Sequence, residues 1–385
     1  MSPRRIRNVA LLGATGSIGR SAAAVISAHP DRFRLFAAAA HRNTAELVRL
    51  ARASRAEVLA LTDKDAAREA ARELRPGVEM LSGEDALCEL AVRPEVDIVL
   101  CAVLGTAGVR AVIAALRAGK RVALASKEVL VLAGDIVTSI PTGELIPVDS
   151  EHSGVFQCLA GRDPAEVELV TLTASGGPFL NWDRKQLAEA KWTDAVKHPV
   201  WEMGDKISVD SATMMNKALE LIEARHLFRL PPERLEAVIH PQSIVHALVE
   251  LRDGSTIAQL SNPDMKLPIQ YALSFPERLA DAPAGRLDLV RSGKLEFLPP
   301  DETRFPALRL AREAMIRGGA FPAVLNAANE TAVELFREGR IGFTRICGLV
   351  EAALERRGSG DDGTLESRFA ADRETRRFVR ELARR

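Results

Sequence analysis

Short apolar runs separated by helix-like stretches fill the first third of the chain. "NVALL" (8–12) ends at Gly13, and "RLFAAAA" (34–40), "AEVLALT" (56–62), "VDIVLCAV" (96–103) and "RVALAS" (121–126) repeat the theme. Between several of them lie stretches such as "SAAAVISAHP" and "AGVRAVIAALRAG". Apolar runs without polar alternation predict strands buried on both faces, hence a parallel sheet covered by helices. That is the doubly wound, Rossmann-type arrangement of the α/β class.

"GATGSIG" (13–19) joins the first predicted strand to the first predicted helix. Its glycines fall as GxxGxxG, a variant of the GxGxxG spacing. Small residues there let backbone N–H groups approach a pyrophosphate at a helix N-terminus. A glycine triplet alone marks only a tight turn; the strand before it and the helix after it point to dinucleotide binding. The second strand informs on which dinucleotide. Enzymes that bind NAD place an acid near its end for the ribose 2′-hydroxyl. Here the strand runs into "AHRNTAEL", with no acid before Glu46. The fork of Arg42 suits a 2′-phosphate, with Asn43 donating beside it, so NADP is favoured over NAD. The alternative is a surface arginine opening the next helix.

The middle third holds three denser stretches. "VDSEHSG" (148–154) packs Asp149, Glu151 and His152 into four residues. A solvated turn or a divalent-metal site would each do that. At an extended strand end, Asp149 and Glu151 at i and i+2 point the same way. "LTASGGPF" (172–179) carries a Ser-Gly-Gly turn, either a plain loop or a cradle for an anion. In "KHPVWEMGDKISVDSATMMNKALELIEARHLF" (197–228), Pro199 and Gly204 break regular structure. Residues 197–206 therefore read as a loop carrying His198, Trp201 and Met203, either packed down or closing over a ligand. From about Ala212 the pattern becomes helical, with Asn216 and Glu220 on one face and Lys217 at its border. Glu220 is a third carboxylate on a separate element. Asp149, Glu151 and Glu220 together would suit Mg²⁺ or Mn²⁺, but spacing alone does not bring the two segments together.

Composition narrows the class. The chain has 385 residues, 47% hydrophobic and 27% charged, enough for a large core and more than one domain. Lys+Arg and Asp+Glu balance at 52 each, so charge suggests neither a nucleic-acid nor a membrane partner. Cys88, Cys101, Cys158 and Cys347 are far apart and form no CxxC. They read as small buried apolar residues of a reducing compartment. The apolar run in "MSPRRIRNVALLG" is too short for a secretory signal, and no stretch approaches the ~20 apolar residues of a membrane span. The expectation is a soluble cytoplasmic protein.

"GATGSIG", "SKE" (126–128), "PVDSEH" (147–152), "ASGGPF" (174–179), "HPVWEMGDKISVDSATMMNKALE" (198–220), "IHPQSIVHALVE" (239–250), "PDMKLPIQYAL" (263–273) and "LNAANE" (325–330) occur in this order. Together they resemble the 1-deoxy-D-xylulose-5-phosphate reductoisomerase family, over nearly the whole chain. The resemblance implies NADPH- and divalent-metal-dependent isomerisation and reduction of a linear ketose phosphate to 2-C-methyl-D-erythritol 4-phosphate, on the methylerythritol phosphate route to isoprenoids. It implies Asp149, Glu151 and Glu220 as ligands of Mg²⁺ or Mn²⁺, with Ser150 touching substrate beside them. Ser175, Ser211, Asn216 and Lys217 correspond to the residues that hold the substrate phosphate. Lys127 corresponds to a lysine on the substrate hydroxyls. His198, Trp201 and Met203 correspond to the flap. Thr15, Gly16, Ser17, Ile18, His41, Arg42, Asn43, Ser126, Glu128 and Gly204 correspond to positions around NADPH. A homodimer is implied through "AVIHPQSIVHALVEL" and "TIAQL", which resemble the family's dimerising sheet.

Several positions depart from the family pattern. Ser126 and Val129 replace the usual Asn and Ser around Lys-Glu. His41 stands where Gly is usual, and Glu202 and Asp205 replace a Ser and a basic residue. The expected organisation is an NADPH-binding domain at 1–150 and an α+β catalytic and dimerisation domain at 151–280, with its flap at 197–206. A Pro- and Gly-rich linker at 281–306 and a C-terminal helical bundle at 307–385 follow. Two other functions remain open: another two-domain NADP-dependent oxidoreductase, and a non-catalytic dinucleotide-binding paralogue.

Overall fold

The computed structural model describes residues 5–201, 204–358 and 363–384. The chain divides into two compact units. One comprises Met1–Val129, Val137–Ser153 and Asp264–Gly285; the other comprises Leu130–Ile136, Gly154–Pro263 and Arg286–Arg385.

The first unit is built on seven strands: β1 (Arg7–Leu12), β2 (Phe33–Ala40), β3 (Val58–Leu61), β4 (Glu79–Ser82), β5 (Ile98–Cys101), β6 (Arg121–Leu124) and β7 (Glu144–Pro147). Their order is β4-β3-β2-β1-β5-β6-β7. Every neighbouring pair is parallel. The chain thus reverses its direction of travel between β1 and β5, and the crevice at such a switch point is where open α/β sheets bind ligands. All five predicted runs are strands, and the four residues of β3 and of β5 are all buried. Strand β4 escapes the pattern because it lies at the sheet edge and buries no residue fully.

The segment 264–285, expected inside a continuous 151–280 domain, packs with the first unit instead. Its helix Lys266–Ser274 buries Ile269, Tyr271, Ala272 and Leu273 and lies against the helix Ser17–Ala28. Polar contacts fix the register. Gln270 Oε1 is 3.1 Å from His29 Nε2, Arg32 donates to Glu277 at 2.6 Å, and Arg121 donates to the Phe275 carbonyl at 2.7 Å. Such returns of the chain are set by contacts distant in sequence, which local composition does not show.

The second unit holds a mixed sheet of β8 (Val167–Ala174), β9 (Leu235–Ile239), β10 (Val245–Leu251) and β11 (Thr256–Leu260). The order is β11-β10-β8-β9, with β8 and β9 parallel and the other pairs antiparallel. The apolar run "AVIHPQSIVHALVEL" is two strands interrupted around Pro241. The helices Ala307–Arg317, Phe321–Arg337, Arg345–Arg356 and Leu365–Leu382 follow. They share one core with the sheet, in which Val170 and Leu172 join Leu219, Ile222, Leu310, Leu325 and Leu349. The C-terminal helices therefore have no separate core of their own. Part of the expected linker is also structured: Ile239 and Leu298 exchange two backbone hydrogen bonds at 2.9 Å. No helix among the described residues is long and apolar enough to cross a membrane.

Candidate active site

In the first unit the candidate site begins with backbone. Strand β1 ends at Leu12, and Gly13 adopts φ +87°. A Cβ on Gly13 would lie 2.2 Å from the Ala102 carbonyl oxygen, and one on Gly19 would lie 2.3 Å from the Gly13 oxygen. Only glycine fits either position. The amides of Gly13 and Ala14 donate to Ala39 O on β2 at 2.9 and 2.8 Å, which holds the turn against the sheet. Gly16 caps the helix Ser17–Ala28 without a side-chain bond, and the first turn carries no acid. The helix N-terminus thus offers amide groups and a positive dipole end to an anion, with Thr15, Gly16, Ser17 and Ile18 around it.

Past β2, His41, Arg42 and Asn43 are all exposed. Arg42 donates to Asp63 at 3.0 Å, and His41 Nδ1 is 2.7 Å from Thr62 Oγ1. Asn43 caps the helix Thr44–Ser54: its Oδ1 accepts from the Glu46 amide at 3.3 Å.

Strands β6 and β7 are neighbours, so the residues after their C-terminal ends meet. Lys127 Nζ is 2.7 Å from Asp149 Oδ2. Ser126 donates to Val103 O at 2.6 Å, and Glu128 opens the next helix, nearly buried. The expected extended geometry at Asp149 and Glu151 does not hold, because a helix, Ser150–Cys158, starts at once. Asp149 accepts from the Ser150 amide at 3.0 Å through its side chain and from the Ser153 amide at 2.8 Å through its carbonyl, as a helix-starting residue does. Ser150 donates to Glu151 at 2.5 Å. His152 is fully buried with Nδ1 4.0 Å from Asp149 Oδ2, beyond hydrogen-bond reach.

In the second unit the site is made of side chains. Gly176 and Gly177 both take positive φ, and a Cβ on Gly177 would lie 2.4 Å from Ser211 O. The Ser-Gly-Gly turn therefore abuts the backbone that carries Ser211. Ser175 Oγ is 2.9 Å from His198 Nε2 and accepts from the Gly177 amide at 3.2 Å. His198 Nδ1 accepts from the amides of Val200 and Trp201 at 3.2 and 2.8 Å. With Nδ1 an acceptor, the neutral ring carries its proton on Nε2 and donates to Ser175. The Ser175 oxygen then accepts twice, and its own hydroxyl proton can donate. Burial pushes the His198 pKa down to about 4, which keeps the ring neutral at pH 7. The Trp201 and His246 ring centroids lie 6.5 Å apart. Met203 and Glu202 of the expected flap lie outside the described residues.

The helix expected from about Ala212 starts earlier. Asp205–Ala212 is one helix, Met214 turns the chain at φ +63°, and Met215–Phe228 is the next. Gly204 caps the first without a side chain, so the flap's expected end at 206 lies inside a helix. Asn216 donates to Glu220 at 2.5 Å, and Lys217 also pairs with Glu220. Lys217 is 3% exposed and Glu220 fully buried. This is a buried ion pair, not the solvated helical pair that i,i+3 spacing suggests. Sequence reasoning missed Asp210, buried in the same helix as Ser211 and paired with Asn329 at 2.8 Å and Lys206 at 2.8 Å. It also missed Asp63. Each has a local contact, Asp210 with Lys206 at i,i+4 and Asp63 as a helix cap, but the partners Asn329 and Arg42 are distant in sequence and local pattern does not show them.

Comparison with known proteins decides the family. Profiles described as 1-deoxy-D-xylulose 5-phosphate reductoisomerase, its C-terminal domain, and DXP reductoisomerase C-terminal domain match residues 9–134, 145–228 and 260–378. The chain belongs to the 1-deoxy-D-xylulose 5-phosphate reductoisomerase family. The enzyme of that name from Aromatoleum aromaticum is 47% identical, covering 98% of this chain and 96% of the relative. The one from Geobacillus kaustophilus is 47% identical over 98% of this chain and 100% of its own. Among solved structures, the Zymomonas mobilis reductoisomerase in complex with NADPH is similar at 42% identity, TM-score 0.92, covering 98% and 99% of the two chains. A reductoisomerase in complex with NADPH, fosmidomycin and magnesium is similar at 40% identity, TM-score 0.94, covering 98% of each.

Proposed function

We infer that the chain converts 1-deoxy-D-xylulose 5-phosphate to 2-C-methyl-D-erythritol 4-phosphate with NADPH and a divalent cation, in isoprenoid precursor synthesis. The observation that carries this is family membership over 98% of the chain at 47% identity. It leaves no room for the alternative of an unrelated two-domain dehydrogenase. Retention of Lys127, Asp149, Glu151, Lys217 and Glu220 speaks against a non-catalytic paralogue.

The residues present suit both cofactors. The glycine turn and open helix N-terminus suit a dinucleotide pyrophosphate, with Thr15, Gly16, Ser17 and Ile18 beneath it and Ser126, Glu128 and Gly204 contributing further contacts. Arg42, with His41 and Asn43, suits the 2′-phosphate. Asp149, Glu151 and Glu220 are hard oxygen donors, the type that Mg²⁺ or Mn²⁺ takes. We assign these three as ligands of one cation. Bound there, the cation would supply Lewis-acid polarisation of the substrate, and NADPH would supply the hydride.

The chain's own groups account for the rest. Lys127, held at 2.7 Å from Asp149, brings positive charge to oxygens on which negative charge develops. Ser150 orients Glu151 and contacts substrate beside it. Ser175, Ser211, Asn216 and Lys217 hold the phosphate, far from the reacting carbons, so that its binding energy fixes their position. His198 orients the Ser175 hydroxyl as a donor, and with Trp201 it covers the substrate and excludes water. We further assign a cytoplasmic homodimer formed through the sheet of the second unit. Its edge strand β11 has β10 as its one sheet partner among the described residues, leaving the other side to a second copy.

Purified protein given the ketose phosphate, Mn²⁺ and NADPH should consume NADPH, and chelation of the metal should stop it. NADPH consumption that is indifferent to chelator, or absent with this substrate, contradicts the reading.

A further inference from the structure

We propose that Asp63 sets how strongly the protein prefers NADPH to NADH, by sharing the Arg42 guanidinium with the cofactor's 2′-phosphate. The proposal rests on the reading of Arg42 as the ligand of that phosphate.

Dinucleotide enzymes that select NAD carry their discriminating acid at the end of the second strand. Here that place is taken by His41, Arg42 and Asn43, and an acid stands instead at the end of the adjacent strand β3. Asp63 lies just past Leu61, and its amide donates to His41 O at 3.0 Å, while the Thr62 amide donates to Ala40 O at 3.2 Å. With His41 Nδ1 at 2.7 Å from Thr62 Oγ1, the two loops form one scaffold. On it Arg42 Nη2 donates to Asp63 Oδ2 at 3.0 Å. The two side chains differ in freedom: that of Arg42 is 70% exposed, that of Asp63 24%.

Asp63 is anchored by a second duty. Its Oδ1 accepts from the amides of Asp65 and Ala66 at 3.1 and 3.0 Å, capping the helix Lys64–Ala71. Those bonds, that of Ala66 above all, hold its carboxyl below the usual carboxylate range, so it is ionised at neutral pH. The carboxylate therefore does not swing away when a phosphate arrives. A guanidinium has donors to spare for both anions, but the anions then sit on one planar group and repel. NADH, which lacks the 2′-phosphate, does not meet this repulsion. Asp63 thus weakens NADPH selectively, and it does so from a strand end where no dinucleotide fingerprint looks for an acid.

The test is the pair Asp63→Asn and Arg42→Gln, titrated with NADPH and NADH by fluorescence. Asparagine keeps the helix cap and removes the charge. Asp63→Asn should tighten NADPH by about threefold to tenfold and change NADH by less than about twofold, with the gain shrinking at high salt. Arg42→Gln should bring NADPH close to NADH. If Arg42→Gln lowers the NADPH preference and Asp63→Asn leaves it unchanged or lowers it, the proposal falls and the Arg42 reading stands. If Arg42→Gln leaves the preference unchanged, both fall.

Discussion

At the end of β1 the first unit is arranged through backbone, whereas around Lys217 the second unit is arranged through side chains. The glycine turn works by absence: Gly13 and Gly19 leave room that any Cβ would fill. The second unit works by pairing: Ser175 with His198, and Lys217 and Asn216 with Glu220. The difference predicts how each fails. A backbone site fails by strain and steric block, locally. A buried side-chain network fails by leaving a charge uncompensated, which destabilises the whole unit as well as its function.

The largest effect should therefore come from the second unit. Lys217→Met leaves the fully buried Glu220 without that ammonium, and should cost about 3–5 kcal/mol of stability in urea unfolding. Adding Glu220→Leu should recover much of the stability and none of the turnover. A single Lys217→Met variant as stable as wild type would mean that the buried pair does not hold this unit together.

Gly13→Ala comes next. It places a side chain on a φ of +87° and against Ala102 O, so a penalty of about 1–3 kcal/mol is expected. If that penalty falls on binding, NADPH affinity should drop by about fivefold to a hundredfold, since 1.4 kcal/mol is tenfold. Binding of the substrate phosphate, which we assign to residues of the other unit, should hold. Equal losses of both would erase the contrast between the two units.

The smallest effect is a pH dependence. The His198 pKa is about 4 in the folded protein, against an ordinary 6.5. Between these values the unfolded chain takes up the proton and the folded one does not, so stability is complete above about pH 6.5 and declines as the pH falls toward 4. His226, also pushed down to about 4 by burial, acts in the same direction. The fall in Tm between about pH 7.5 and 5 should be smaller in His198→Gln than in wild type. An identical fall would show that His198 is solvated rather than held neutral.

The same contrast explains what the sequence revealed. Backbone sites are written in glycine spacing, and "GATGSIG" marks its cradle within seven residues. Buried strands β1, β2, β3, β5 and β6 are visible as apolar runs for the same local reason. Side-chain networks join residues far apart. The Asp210–Asn329 pair spans 119 positions, and the helix Lys266–Ser274 returns to the first sheet after the second is complete. For the second unit, family motifs supplied Ser175, Ser211, Asn216, Lys217 and Glu220; spacing alone left them as a loop and an ordinary helix. Local reading also erred at Glu151, because Asp149 starts a helix where an extended strand end was expected.

The assignment of Glu151 and Glu220 to one divalent cation, proposed above, requires each for metal binding and neither for NADPH binding without substrate. Calorimetric titration of Mn²⁺, with NADPH and substrate phosphate bound, tests it in Glu151→Gln and Glu220→Gln. Each variant should lose Mn²⁺ binding while its NADPH affinity without substrate stays as in wild type. Wild-type Mn²⁺ affinity in either variant would contradict it.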